Sequence, residues 1–352
     1  MEEKRVGYCL IGFGGMGKWH TEILAGVPQI RLAGIYDIEK EKRKKAEEAG
    51  FRVYGSEEEA LADDSVEVVL VATPNDSHMP IALRAMKAGK HVILEKPAVL
   101  SSRELKELER IARETGKFLT VHQNRRWDED FLTVKKILEE GKLGEVFRVE
   151  SRVHGSRGIP GDWRQEKEHG GGMILDWGVH LLDQLLQLFS DVPVRSVYGV
   201  ETHVTNQLVD DGFYAEIAFE NGVTALVEVG TSNFVSLPRW YVLGADGTAV
   251  VEDWELHGKI VRATGVNEKD VTPVITAAGL TKTMAPRRDD SIFTEELPKV
   301  TSDVREFYIN VMAVLEGREK SRIQLPEVMR VMKLMEAIHQ SAETGEIVRE
   351  TI

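Results

Sequence analysis

Val6-Gly7-Tyr8-Cys9-Leu10-Ile11-Gly12-Phe13-Gly14-Gly15-Met16-Gly17 carries a short apolar run straight into a glycine-rich turn. Gly12, Gly14 and Gly17 fit the spacing G-x-G-x-x-G. The first glycine permits a tight turn, the second lets backbone approach a pyrophosphate, and the third lets helix and strand pack closely, with the helix N-terminus facing the anion. Glycine-rich turns after strands are common, so the spacing alone is weak. Its context decides the reading: a helical stretch follows to about residue 25, and a second apolar run, 30–36, ends at Asp37, 20 residues past Gly17. A strand, this turn, a helix and an acidic residue at that distance predict a dinucleotide-binding unit. Gly12, Phe13, Gly14, Gly15, Met16, Gly17 and Asp37 are its expected contacts.

Asp37 also bears on which dinucleotide. A carboxylate there accepts hydrogen bonds from both ribose hydroxyls and repels a 2′-phosphate. Ile38 and Glu39 follow it rather than an arginine, so NAD is favoured over NADP; Lys40, Lys42 and Arg43 nearby are the counter-indication.

Outward from this unit, strand and helix keep alternating. Residues 66–73 form an apolar run stopped by Pro74-Asn75-Asp76. A helical stretch, 80–88, ends at Gly89. His91–Leu94 reads as a strand broken by Glu95-Lys96-Pro97, Ser101 and Glu104 open a helix as a capping box, and 117–121 reads as a further strand. Buried runs separated by helices predict an α/β Rossmann domain, a doubly wound parallel sheet covered on both faces. The texture changes near residue 123. After a helix at about 129–140, alternating strands follow one another: 145–154, 194–205, 212–219, 223–230 and 239–252, with hairpin signals at Asn221-Gly222 and Asp246-Gly247. Residues 265–299 show no clear period, and two helical stretches, 301–316 and 326–343, end the chain. We therefore expect residues 1–123 to bind the dinucleotide. Residues 124–352 should form an α+β domain with a large, mostly antiparallel open sheet for substrate binding and oligomerisation, its last helices packing back on the first domain.

Composition bounds the function classes. The chain has 352 residues, 42% hydrophobic and 29% charged, which suits two ordinary globular domains. Its formal net charge of −13 argues against general binding to nucleic acid or an anionic membrane. Cys9 is the only cysteine, which excludes an intrachain disulfide and a thiolate metal cluster. MEEKRVGYCLIG lacks the pattern of a signal peptide, and no apolar run is long enough to span a bilayer, so a cytoplasmic location is expected. His154, His169, His180 and His203 show no metal-ligand spacing, so no metal is expected.

A second constellation lies at Gly170-Gly171-Gly172-Met173-Ile174-Leu175-Asp176-Trp177-Gly178-Val179-His180. If the chain is helical from Asp176, residues 176, 180, 183 and 187 make one polar stripe, and Asp176 and His180 stand one turn apart. Spacing alone favours blander readings, an N-cap and a solvated face; the glycines before them favour close approach of a ligand. Lys96 sits where a strand ends, the edge at which open parallel sheets bind ligands, although a lone lysine there is usually a surface charge.

These motifs together resemble the Gfo/Idh/MocA family of dinucleotide-dependent oxidoreductases, which includes glucose–fructose oxidoreductase and inositol dehydrogenases. The resemblance runs from Gly12–Gly17 with His20, through Ala72-Thr73-Pro74-Asn75, Glu95-Lys96-Pro97, Trp163-Arg164 and the 171–180 segment, to Pro326-Glu327 and Ser341-Ala342-Glu343-Thr344-Gly345. It implies Lys96 at the nicotinamide and the reacting hydroxyl, Asp176 as a substrate-orienting carboxylate, and His180 as general acid–base. It also implies an oxidoreductase that moves hydride between NAD and a secondary alcohol or carbonyl of a sugar, cyclitol or related polyol. A homodimer or homotetramer through the second sheet follows from the same resemblance.

Thr73, Pro74, Asn75, His78, Glu95 and Gln123 are expected along the cofactor groove. Of the arginines after the last Rossmann strand, Arg125 is expected to reach cofactor or substrate and Arg126 to make a surface pair. Trp163 and Arg164 are expected to wall the substrate cavity, and His20 to be packed rather than chemical. Two alternatives stay open: a redox-neutral glycosidase that retains NAD, and a non-catalytic dinucleotide-bound sensor.

Overall fold

The computed structural model describes residues 5–266 and 271–352. Residues 1–4 of the amino-terminal stretch and 267–270 of the unpatterned segment lie outside the described residues.

The first five strands are β1 (Val6–Ile11), β2 (Ile30–Tyr36), β3 (Val68–Val71), β4 (His91–Leu94) and β5 (Leu119–Val121). All are parallel, in the order β2-β1-β3-β4-β5. β3 reads Val-Val-Leu-Val and is buried throughout, as a strand covered on both faces must be. The covering helices are α1 (Gly15–Ala25), α2 (Lys40–Glu48), α3 (Glu57–Ala62), α4 (His78–Lys87) and α5 (Ser102–Thr115). Ser101 caps α5 by accepting the Glu104 N–H, and Gly116 closes it in the left-handed conformation. α3 escapes the sequence reading, because Glu57-Glu58-Glu59 shows no apolar period; Ser56 starts it as an N-cap. β1 has β2 on one side and β3 on the other, so the sheet reverses direction there and opens a crevice beyond the carboxyl ends of β1 and β3.

Beyond α6 (Glu129–Glu139) the chain builds a second sheet from β6 (Val146–His154), β7 (Val194–Thr202), β8 (Gly212–Phe219), β9 (Thr224–Gly230), β10 (Trp240–Gly244), β11 (Gly247–Val251), β12 (Gly258–Ala263) and an edge strand, Ile292–Glu295. Its order is edge strand, β12, β11, β10, β6, β9, β8, β7; only β6 and β9 run parallel. Asn221-Gly222 and Asp246-Gly247 do lie at hairpin turns, so the run 239–252 is two strands rather than one. The segment 265–299 also departs from expectation. Within it β13 (Val274–Thr276) and β14 (Gly279–Thr281) make a small exposed hairpin, and the edge strand, β15, follows. Strands this short, with one face exposed, leave no period to detect.

β8 alternates strictly, with Phe213, Ala215, Ile217 and Phe219 buried on one face. α7 (Val179–Leu188) and α9 (Leu325–Thr344) pack against the sheet, and Asp130 of α6 accepts from the buried Trp240 Nε1 of β10 at 2.9 Å, while Arg148, Glu150, Arg152, Glu216 and Glu228 form an ion-pair network on the open face. α8 (Arg305–Leu315) packs on α1, and α9 touches both sheets, lying against β7, β5 and α5. A capping box of Gln324 and Glu327 with Pro326 in its first turn starts α9. No helix among the described residues is long and apolar enough to cross a membrane.

Candidate active site

The crevice at the sheet reversal is a cleft of about 740 Å³ that runs from Asp37, past the glycine turn, to Lys96 and Asp176. At one end the backbone itself is the binding surface. Gly12 has φ +100°, and a Cβ there would stand 2.4 Å from the Ala72 carbonyl oxygen; at Gly17 it would stand 2.1 Å from the Gly12 oxygen. Only glycine fits either place. Gly14 and Gly15 have nothing within 4 Å of a Cβ position, so their backbone is open to a ligand at the start of α1. Asp37 is buried; its Oδ2 accepts the Phe13 N–H at 2.7 Å and its Oδ1 the Glu39 N–H at 2.9 Å. The turn and the acidic residue thus fix one another. These features fit a dinucleotide with its pyrophosphate on the turn and its adenosine ribose at Asp37.

Three of the basic residues around Asp37 are already engaged, while Lys40 is exposed. Lys42 pairs with Glu39 at 2.6 Å, Arg84 with Glu57 at 2.7 Å, and Arg43 donates to the carbonyls of Asp37 and Ile38.

At the other end four distant segments meet. Lys96 follows β4 and points its Nζ at Asp176, 3.0 Å from Oδ1 and 2.9 Å from the backbone oxygen. Arg164 Nε lies 3.1 Å from Asp176 Oδ2. Burial alone would raise the Asp176 carboxyl, but Lys96 and Arg164 hold it below the ordinary carboxylate range. The residues around Asp176 differ from a simple helix: Ile174–Gly178 form a π-helical turn, and α7 begins only at Val179. Asp210 accepts the N–H groups of Met173 and Ile174, each at 2.8 Å, and Gly172 leaves room for that carboxylate. His180, in the first turn of α7, is 4% exposed. Burial, then the charges of Lys96 and Arg125, push its pKa well below the usual histidine value, so the imidazole is neutral.

Several expected residues stand elsewhere. The polar stripe does not exist as such: Asp183 is buried and takes a two-pronged bond from Arg126, at 2.7 and 2.8 Å. Arg126 is accordingly no surface pair; it also reaches Glu327, and so ties the turn after β5 to α7 and α9. His78 lies behind the cleft wall, its ring nitrogens 3.0 Å from the carbonyl oxygens of Thr73 and Pro97. Thr73, Pro74, Asn75 and Glu95 do line the cleft, as do Trp163 and Arg164. Gln123, Arg125 and His180 lie outside that lining. Arg125 pairs with Asp128 at 2.8 Å and stacks 4.2 Å from the Trp177 ring and 5.4 Å from Trp254. Along the segment after β5 and the face of α7 against it, His122 Nε2, the Gln123 amide, Arg125 Nε, His180 Nδ1 and Gln184 Oε1 are buried without partners.

One buried cluster has no signal in the sequence. His20, on α1, is buried as expected, but its Nε2 lies 2.8 Å from Glu95 Oε1, which also takes His122 Nδ1 at 2.8 Å, while Tyr308 of α8 bonds the other His20 nitrogen. Among the described residues these three, His20, Glu95 and His122, also have atoms close enough for a shared metal ion. Their positions in the chain, 20, 95 and 122, give no local spacing; only the sheet's parallel order brings them together.

The comparisons agree with this geometry. Residues 6–123 match the model of an oxidoreductase family with an NAD-binding Rossmann fold, and 131–250 that of a Gfo/Idh/MocA C-terminal domain. An uncharacterized oxidoreductase of Escherichia coli, YdgJ, is 30% identical over 96% of both chains. The scyllo-inositol 2-dehydrogenase (NADP(+)) IolW of Bacillus subtilis is 26% identical over 95% of this chain and 93% of its own. An NAD-binding protein from Listeria innocua has a solved structure with a TM-score of 0.96 at 47% identity, covering 99% of this chain and all of that one. With a matching turn, sheet and second domain, the chain belongs to the Gfo/Idh/MocA family of oxidoreductases.

Proposed function

We propose that this oxidoreductase is an NAD-dependent dehydrogenase acting on a secondary alcohol, or the matching carbonyl, of a sugar, cyclitol or related polyol. Residues 1–123 hold the dinucleotide in this reading, and 124–352 carry most of the substrate site and an open sheet face through which copies associate. The observation that carries it is the Lys96–Asp176 pair at the far end of a cleft whose near end fits an adenosine diphosphate. The inositol dehydrogenase relative supports the substrate class. So do the unpartnered buried polar atoms after β5 and on α7, since such atoms are costly unless a polar group meets them. The preference for NAD is supported by the Asp37 carboxylate at the end of β2 and by the engagement of Lys42, Arg43 and Arg84, with Lys40 as the counter-indication.

The nicotinamide supplies or accepts hydride when bound. The chain does the rest. Lys96 holds the substrate oxygen with its ammonium and stabilises negative charge as the hydroxyl proton leaves. His180 takes that proton, and a neutral, buried imidazole is the form ready to do so. Asp176, kept ionised between Lys96 and Arg164, anchors a neighbouring hydroxyl and fixes the lysine. Trp163 and Arg164 close the wall over the substrate. The test is nicotinamide absorbance with NAD or NADP against a panel of cyclitols, aldoses and sugar acids. NADH formation with one class is expected; dinucleotide binding without turnover on any of them overturns the dehydrogenase reading.

A further inference from the structure

His20, Glu95 and His122 converge on one carboxylate oxygen, in a place where a buried charge needs a reason. Glu95 is 4% exposed, and both imidazoles are fully buried. Its Oε1 accepts from His20 Nε2 and His122 Nδ1, and its Oε2 from the Lys96 N–H at 3.1 Å. Tyr308 bonds the remaining His20 nitrogen, which leaves Nε2 to carry the proton toward Glu95. Burial alone would raise the Glu95 carboxyl, yet His122 and His20 hold it well below the usual range. Three N–H donors on one carboxylate are what keeps a buried acid ionised. The same atoms make a metal-ligand set, but one oxygen serving both nitrogens at 2.8 Å reads as hydrogen bonding.

Glu95 also lines the cleft, beside Lys96 and opposite the adenosine end. The other charges at that end are Lys96, Arg164 and Arg125, set against Asp176, with Asp162 paired to Arg164 and Asp128 to Arg125. These charges balance one another, so Glu95 adds a net negative charge there. The oxidised nicotinamide ring is a cation and the reduced ring is neutral, so a fixed anion beside it favours the oxidised form.

We infer that His20 and His122 are positioning residues that hold Glu95 as a fixed anion at the reactive end of the cleft, and that this anion biases the bound dinucleotide toward its oxidised form. The inference rests on the dinucleotide reading above. It concerns binding and not turnover, so it is tested without substrate: full-length protein is titrated with NAD and with NADH, followed by tryptophan fluorescence. In Glu95→Gln the ratio of the NAD to the NADH dissociation constant should rise about tenfold, as expected for one charge removed at short range. His122→Leu should raise it in the same direction, because the carboxylate loses a donor. His122→Asn, which keeps an N–H where Nδ1 stood, should stay within about twofold of wild type.

A ratio unmoved in Glu95→Gln overturns the inference, as does His122→Asn shifting it as far as His122→Leu. Should Glu95→Gln not fold, the two His122 variants decide alone. A wild type that binds neither nucleotide removes the dinucleotide reading itself and this inference with it, a result easily told from an unchanged ratio.

Discussion

The two ends of the cleft are built by opposite means. Around Asp37 the site is backbone: a turn that only glycine can make, amides open at a helix start, and one carboxylate tied to the turn by the Phe13 N–H. All of it comes from 26 consecutive residues, Gly12 to Asp37. Around Lys96 the site is side chains drawn from the ends of β4 and β5, the 163–164 wall and the start of α7. The near end depends on local conformation and the far end on how two sheets are docked. Changes at the far end should therefore stop the chemistry while the near end still binds nucleotide.

The sharpest separation is at His180. On its proposed role as general base, His180→Ala should lower turnover by about 10²–10⁴-fold while NAD binding persists. Steady-state rates beside a binding titration check it; a loss under about threefold would take His180 out of the role.

Arg126 probes the docking. Its side chain and that of Asp183 are 8% and 3% exposed, and removing one member of such a pair leaves the other charge buried and unpaired. Arg126→Met should cost about 3–5 kcal/mol in denaturant unfolding. Activity should fall more than nucleotide affinity, because Asp183 and His180 share α7. Equal losses of both would mean that the two ends are not separable.

Asp37→Ser should act only at the near end. NAD affinity should fall about tenfold, the loss of hydrogen bonds to a charged group, while NADP gains as the repulsion goes. Unchanged affinities for both would remove Asp37 from nucleotide choice. This contrast also explains what was legible. The glycine turn, Asp37 and the strand–helix alternation follow from periodicity and backbone sterics, which a sequence carries locally. So does the alternation of β8. Spacing puts Asp176 and His180 one turn apart, but only resemblance to a family joins Lys96 to them, since nothing in the spacing brings β4 to α7. Asp183 and His78 depart from expectation for one reason: a polar side chain reads as facing ligand or solvent, whereas each of these has a buried partner contributed by a remote segment. β15 and α3 were too short or too charged for a period to register.

The smallest effect expected is a displacement in pH, and its sign follows from the far end alone. In the proposed mechanism, oxidation of an alcohol needs His180 neutral. Its pKa lies well below the ordinary 6.5, through burial first and then the charges of Lys96 and Arg125. The acid limb of kcat/KM in the oxidising direction, which reports the free enzyme, should therefore lie below pH 6.5, with the rate flat above it as far as this group is concerned. Removing the cation that acts on it most should raise that limb toward the ordinary value. Lys96→Gln keeps a donor for the substrate oxygen but not the charge, so what activity remains should show its acid limb at higher pH than wild type. Arg125→Gln should move it the same way by less, since Arg125 ranks after Lys96 among the charges acting on His180. A limb that stays put in both variants would mean that burial alone sets the imidazole, and that the cations at the far end serve the substrate and not the base.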